Sequence, residues 1–309
     1  MEMLFHRQTI INIQEKYMPL WLTYSLFATL FYGMLNFLYK VAAEKKYLNQ
    51  AVILISATTV VISAAVTIVV SAKLSEQKFP NILPALPYAI ANGTLFAIGA
   101  LAKFKALTLA PASVVFPVNK SNVLFVIIIG ILFFNESPAI SQWAGIGTSI
   151  LVLVLISSEQ FKISGSHTLK GIFFAVFAAL CTSFSMTAGK LASVNVDRNT
   201  YILLSYTIVA LISLFGYLRL TTKDVKSRTF SRSGIFLIGS IIGILNFAGY
   251  GLVLKAFAAG SMSLVQPIFT LSILIPIFLS AAIYKEKLTF IRIISIGLSL
   301  AAVLLIKNG

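Results

Sequence analysis

The sequence predicts an all-α membrane protein, ten transmembrane helices arranged as two inverted five-helix repeats. Three observations lead there. Of 309 residues, 58% are hydrophobic and only 11% charged, against roughly 25% charged residues in an ordinary soluble domain. The apolar residues gather into ten runs, each close to the ~20 residues that cross a bilayer core. The second half of the chain, displaced by 150 positions, superposes on the first without a gap.

A polar tail at 1–19 precedes the first span, 20–39. Val41-Ala42-Ala43 follows it in the manner of a leader-cleavage site, but the apolar stretch is too long and the preceding tail too polar, so the helix is read as retained. Further apolar runs lie at 51–72, 83–102, 113–134 and 138–157, completing a first repeat at 20–157. A linker at 158–169 leads to a second repeat at 170–309, with runs at 170–189, 201–218, 234–254, 261–284 and 289–306. Ser137 is placed to cap the fifth span, with Pro138 at its first position, and Thr289 to cap the tenth, satisfying amides that lipid cannot. Glu136 and Glu286 stand beside those positive helix ends, where a carboxylate is favoured, and are expected to be structural rather than proton carriers.

The repeat rests on residues that shared apolar composition does not explain. Lys40 falls on Lys190. Lys105, Ala106, Ser113, Val115, Pro117 and Glu136 fall on Lys255, Ala256, Ser263, Val265, Pro267 and Glu286. Five spans per repeat is an odd number, so the two copies enter the membrane in opposite senses, related by a pseudo-twofold in its plane. Such a scaffold has two near-equivalent packings, one open to each side, and their exchange is alternating access.

Charge and titratable groups narrow the function. Lys+Arg 24 against Asp+Glu 9 gives +15, a balance that in a soluble protein would suggest nucleic acid. Here the cations sit between apolar runs, where lysines snorkel to headgroups, so nucleic acid is not an expected partner. Cys181 is the single cysteine, and His6 and His167 lie far apart outside the spans, so neither a disulfide nor a metal site is expected, and no cofactor. No Gly-x-x-x-x-Gly-Lys-Ser/Thr loop is present, so energy is expected to come from a gradient, from exchange or from the substrate's own concentration. An enzyme would need an activated nucleophile or an acid–base pair; Cys181, Thr182, Ser183 and Ser185 have no base beside them in sequence, and no catalysis is expected. The partners left are a small-molecule substrate and the lipid bilayer, with monomer and homodimer both open.

The paired lysines, the Lys-Ala steps and the turns Asn135-Glu136-Ser137-Pro138 and Lys285-Glu286-Lys287-Leu288-Thr289 resemble those of the drug/metabolite transporter superfamily in its ten-helix form, built from two EamA-type repeats. The resemblance covers the chain from about residue 20. It implies that spans 1, 3, 4, 6, 8 and 9 line a central cavity, with spans 5 and 10 at the periphery. Gly145, Gly147, Gly297 and the Gly239-x-x-x-Gly243 step are read as close-packing positions. Related small multidrug exporters use a glutamate in their first helix, eight residues before the lysine. Here those positions hold Tyr32 and Thr182, an argument against carboxylate-based proton antiport and against large organic cations.

All nine acids fall outside the apolar centres, whereas Lys120 lies inside the fourth span, within Asn119-Lys120-Ser121-Asn122. An ammonium in hydrocarbon costs several kcal/mol and normally faces a wet cavity or a partner. Three roles fit it: an anchor for a substrate carboxylate or phosphate, oriented by Asn119 or Asn122; a structural lysine serving freed carbonyls or a helix C-terminus; or a lysine that loses its proton during transport. Pro117, Pro267 and Pro276 are expected helix breaks, which free carbonyls near the midplane. Thr270 takes the place of Lys120 in the second repeat, so the cavity is electrostatically lopsided. Tyr32, Asn36, Asn92, Thr182, Asn246, Tyr250 and Gln266 complete the candidate lining, against a background in which interhelical hydrogen bonding is the usual fate of such residues.

The expected function is a secondary transporter moving a small neutral or anionic metabolite by alternating access, in the plasma (inner) membrane. The resemblance makes an amino acid or related compound the leading substrate, with export the preferred direction. The alternatives are an exchanger of phosphorylated sugars or nucleotide-sugars, or a lipid flippase. Orientation is contested: loops on the side of the termini carry fewer Lys/Arg than those opposite, chiefly because Arg219, Lys223, Lys226, Arg228 and Arg232 flank one connection. The positive-inside rule then puts both termini outside, while the resemblance implies that both are cytoplasmic.

Overall fold

A computed structural model describes residues 18–74, 79–110, 112–158, 167–219, 231–285 and 288–309. The first repeat comprises α1 (Leu20–Glu44), α2 (Asn49–Leu74), a 3-10 turn (Leu83–Ala85) running into α3 (Leu86–Leu109), α4 (Ala112–Lys120), α5 (Asn122–Phe134) and α6 (Ile140–Ser158). The second comprises α7 (His167–Asn195), α8 (Arg198–Leu218), α9 (Arg232–Ala259), α10 (Met262–Thr270), a 3-10 turn (Leu271–Ile273), α11 (Leu274–Tyr284) and α12 (Phe290–Lys307). Nine helical segments among the described residues are long and apolar enough to cross a bilayer; the remaining crossing is the fourth span, divided between α4 and α5, whose apolar stretch is Val118–Phe134. Glu286, Lys287, Lys223, Lys226, Arg228 and His6 lie outside the described residues.

Several helices overrun the apolar stretches that predict them. α3 continues to Leu109 and α7 to Asn195, so Lys103, Lys105 and Lys190 belong to helices rather than to connections. A charge ends an apolar run but not a helix, because Lys is a good helix former and its stem packs on apolar surface. The lipid-facing flanks are apolar as well: Phe173, Phe236, Phe278 and Phe290 all point outward, each more than half exposed.

The helix pairings obey the repeat. α3 lies along α7, and their mates α9 and α1 lie along one another; α2 pairs with its own mate α8, and α6 with its own mate α12. A helix packed on its own counterpart is what a twofold axis between the halves demands. Close approaches are duplicated too. Gly99 meets Cys181 and Thr182, and its mate Gly249 meets Phe31 and Tyr32, the mates of those two residues. A Cβ added at Gly243 would stand 2.5 Å from the Thr59 Cβ and 2.7 Å from the Ser56 carbonyl oxygen, and one at Gly93 2.8 Å from the Ser205 carbonyl oxygen. These small residues let backbones approach where burial of apolar surface from water supplies no force between helices. Gly145 does the same for the outer pair against Ile306, but Gly147 and Gly297 face open space, with nothing within 4 Å of an added Cβ, and are not packing positions.

The two copies end their broken spans alike. Asn135 after α5 and Lys285 after α11 are repeat mates, and both take the left-handed conformation, φ 50° and 55°. At the first, the Glu136 N–H returns to the Gly130 carbonyl, closing the helix and turning the chain toward the other repeat.

Candidate functional site

The fourth and ninth spans break at equivalent positions. α4 ends at Lys120 and α5 begins at Asn122, with Ser121 between; α10 ends at Thr270, the mate of Lys120, and a 3-10 turn opens at Leu271, the mate of Ser121. Pro117 lies within α4, and Pro267 within α10. Neither proline can donate its backbone bond, which loosens the helix over the following turn. Pro276 breaks nothing itself: it sits in the first turn of α11, where a proline is tolerated, just after the 3-10 segment.

Lys120 is therefore the last residue of α4, where a cation complements the helix C-terminus. Its side chain is half-buried and makes no hydrogen bond or ion pair among the described residues. The Asn122 carbonyl accepts from Ser183 Oγ on α7 at 3.1 Å, and Thr182 of the same helix lies beside Gly99 of α3. The break in the fourth span is thus pinned where α3 and α7 cross. Lys103, one turn beyond Gly99, is a further half-buried lysine of α3. The apolar-run criterion ended the third span at residue 102 and so passed over Lys103.

A second polar group lies between α1, α3, α7, α8 and α9. Asn246 is buried, and its Oδ1 accepts from the hydroxyls of Tyr32 at 3.1 Å and Tyr206 at 3.0 Å. Asn92 donates through Nδ2 to the Tyr250 hydroxyl at 2.9 Å and accepts from Ser185 Oγ. The Tyr250 and Tyr201 hydroxyls share a hydrogen bond of 3.1 Å. The edge of one ring of Tyr206 and Tyr250 meets the face of the other, with centroids 5.9 Å apart, joining the two halves of the network. Tyr32 packs edge-on against Phe269 of α10 at 4.6 Å, which couples the network to the broken ninth span. Four of the sequence candidates, Tyr32, Asn92, Asn246 and Tyr250, meet here. Tyr201, Tyr206 and Ser185 join them although they were not singled out: the resemblance gives α8 no place in the lining, and serines and tyrosines within an apolar run carry no positional signal.

The remaining candidates stand apart. Thr182 and Thr270 return their hydroxyls to backbone carbonyls of their own helices, Ala178 at 2.8 Å and Gln266 at 3.0 Å. Gln266 is buried with its Oε1 unpaired among the described residues, which in an apolar interior costs about 1–3 kcal/mol. Asn36 and Asn119 are half-buried, and the Asn122 side chain is buried.

Glu136 has a different place from the one expected. Its carboxylate accepts from the backbone N–H of Met262 at 2.7 Å and of Ser263 at 2.8 Å, capping α10 in the opposite repeat rather than serving α6. The left-handed turn at Asn135 aims it there, and Gly130 makes room: an added Cβ would lie 2.5 Å from Glu136 Oε2. Lys190 feels the Glu136 charge and donates to the carbonyls of Phe257 and of Gly260, the latter at 2.8 Å. The acid on a helix start ties the first repeat to the second, and the base on a helix end ties α7 to α9 within the second. Ser137 does not cap α6, which begins at Ile140; Gln142 Oε1 accepts from the Ala139 N–H instead, at 2.9 Å. Thr289 caps α12 as expected, accepting from the Arg292 N–H at 3.4 Å.

Residues 19–158 and 169–307 each match the EamA-like transporter family. An uncharacterised transporter of Archaeoglobus fulgidus is 27% identical over 238 residues, 75% of this chain and 81% of that one. An uncharacterised protein of Methanocaldococcus jannaschii is 30% identical over 132 residues, 43% of this chain and 92% of that shorter one. A protein of known crystal structure shares the fold at a TM-score of 0.71 and 15% identity, over 91% of this chain and 95% of the other.

Proposed function

Because the chain belongs to the EamA-like transporter family, a family of transporters housed as integral multi-pass membrane proteins, we propose that it carries a small neutral or anionic metabolite across the plasma (inner) membrane by alternating access. The observation that supports an anionic cargo most directly is Lys120, half-buried at the break between α4 and α5 without a hydrogen-bond partner among the described residues. An ammonium so placed keeps its charge by facing water or an anion. The α4–α5 and α10–α11 breaks allow the inner and outer halves of each span to tilt separately, the motion that exchange between inverted packings requires. The Asn246–Tyr32–Tyr206 and Asn92–Tyr250–Tyr201 bonds supply a neutral polar wall against which the rest of a small molecule is oriented. Amino acids and related compounds are the leading cargo, with export as the direction.

A metabolite panel applied to the purified protein tests the proposal. A cargo that binds the folded state raises the melting temperature, and the same compound is then followed into proteoliposomes. Lys120→Met is expected to abolish the shift and the uptake while Lys120→Arg keeps part of both. Full uptake and unchanged affinity in both variants remove the anchor.

A further inference from the structure

We propose that Asn246 reads the cargo: the two hydrogens of its amide nitrogen bind a carboxylate or carbonyl oxygen, so the transported molecule presents such an oxygen to the middle of α9. The proposal rests on the transporter reading above and narrows its substrate class.

Asn246 lies midway along α9 (Arg232–Ala259), near the depth at which transporters hold their substrates. An asparagine side chain has one oxygen that accepts and one nitrogen that donates twice. Here the oxygen is filled, by the hydroxyls of Tyr32 at 3.1 Å and Tyr206 at 3.0 Å. Both tyrosines are held in turn, the Tyr32 ring against Phe269 with centroids 4.6 Å apart and the Tyr206 ring against Tyr250 at 5.9 Å. Two hydroxyls converging on Oδ1 set the orientation of the amide and leave Nδ2 on its other side. That nitrogen makes no hydrogen bond among the described residues. It is not sealed off either. The described side-chain atoms shut away from water without a partner are Gln266 Oε1 and the hydroxyls of Ser205, Ser263, Ser272 and Ser295, so Nδ2 borders an open space although Asn246 is only 9% exposed.

An amide that merely ties helices together uses both of its ends. Asn92 in the same network does so, donating to the Tyr250 hydroxyl at 2.9 Å and accepting from Ser185 Oγ. Asn246 is saturated at its oxygen alone, and buried donors without an acceptor are costly. The repeat points the same way. The mate of Asn246 is Phe96, so the fold accommodates a phenyl ring at the equivalent position and has no need of an amide there. What the free nitrogen selects follows from its chemistry. A carboxylate or carbonyl oxygen accepts without bringing a donor of its own, whereas an alcohol brings a proton that needs an acceptor, and the Asn246 oxygen is already engaged twice.

Three compounds on one carbon skeleton make the test with the full chain in detergent: lactate, lactamide and propane-1,2-diol, which end in a carboxylate, a neutral carbonyl and a hydroxyl. In titration calorimetry the unaltered protein is expected to bind at least one of the first two about tenfold or more tightly than the diol, the gain from filling a buried donor. Tighter binding of lactate than of lactamide assigns a carboxylate cargo, and equal binding of the two a neutral carbonyl. Asn246→Asp keeps an acceptor for both tyrosines and removes both N–H groups, and should bring lactate and lactamide to within about threefold of the diol. Tyr206→Phe removes one structural bond and leaves the nitrogen in place, and should lower the melting temperature while keeping the preference. If Asn246→Asp loses its melting transition, Asn246→Leu makes the same comparison. Absence of any preference for lactate or lactamide in the unaltered protein, a preference that survives loss of the amide nitrogen, or one that Tyr206→Phe abolishes as fully, overturns the proposal. A preference that depends on Asn246, without uptake of the favoured compound into proteoliposomes beyond that of empty liposomes, would instead sink the transporter reading and leave the donor site standing.

Discussion

Asn246 shows how much a single side chain settles in this interior. Its one carbonyl oxygen accepts two tyrosine hydroxyls from two helices, Tyr32 on α1 and Tyr206 on α8. Asn246→Ala strands both hydroxyls, at about 1–3 kcal/mol for each buried group left unpaired. We expect a fall of several degrees in the melting temperature of the purified protein, and a smaller fall for Tyr32→Phe, which removes one bond and keeps the ring against Phe269. Equal melting temperatures for all three proteins would mean that water already satisfies the network. At this scale the sequence was legible where an amide or a charge interrupts an apolar run, as at Asn92, Asn246 and Lys120. It was not legible for Tyr201, Tyr206 and Ser185, which are acceptable in any membrane helix and gain meaning only from what faces them. Lys103 was hidden for the opposite reason: its charge made it look like a helix end.

The elements that differ most from ordinary spans are α4–α5 and α10–α11, and one carboxylate from the first repeat holds the start of the second of these. Glu136 supplies the acceptor for two amides at the beginning of α10, where no hydrocarbon neighbour could. Glu136→Ala should destabilise the protein by about 0.5–2 kcal/mol, the range for loss of an N-terminal cap, and Glu136→Gln by less because one acceptor oxygen remains. Thermal unfolding in detergent checks the order. Gly130→Ala should mimic Glu136→Ala in part, since its Cβ would press on the same carboxylate, and the double variant should cost less than the sum of the two. A fully additive pair would show that Gly130 and Glu136 act separately. The expectation that Glu136 is structural came from its position beside α6. The helix it serves could not be read that way, because the neighbour in sequence and the neighbour in space belong to different repeats.

Across the whole molecule, the main helix pairings follow the inverted repeat, while the side chains at a few positions depart from it. Lys120 against Thr270, Lys103 against Val253 and Asn246 against Phe96 are the principal ones. The scaffold leaves its own orientation undecided, since an inverted pair looks alike from both sides, and only loop charge and cellular address break the tie. We expect both termini in the cytoplasm: a reporter active only there, fused after Gly309, should be active. An inactive reporter, with activity recovered when it is moved to the connection between α8 and α9, would give the decision to the positive-inside charge count instead.

The amino-acid sequence alone determined the number of crossings, the duplication and the inversion. These follow from apolar run lengths and from residues recurring at a fixed displacement, both one-dimensional quantities. The tertiary structure alone decided which polar side chains meet and which helix Glu136 caps. Those are contacts between segments distant along the chain, and in a membrane, where every interhelical surface is comparably apolar, no local pattern announces them.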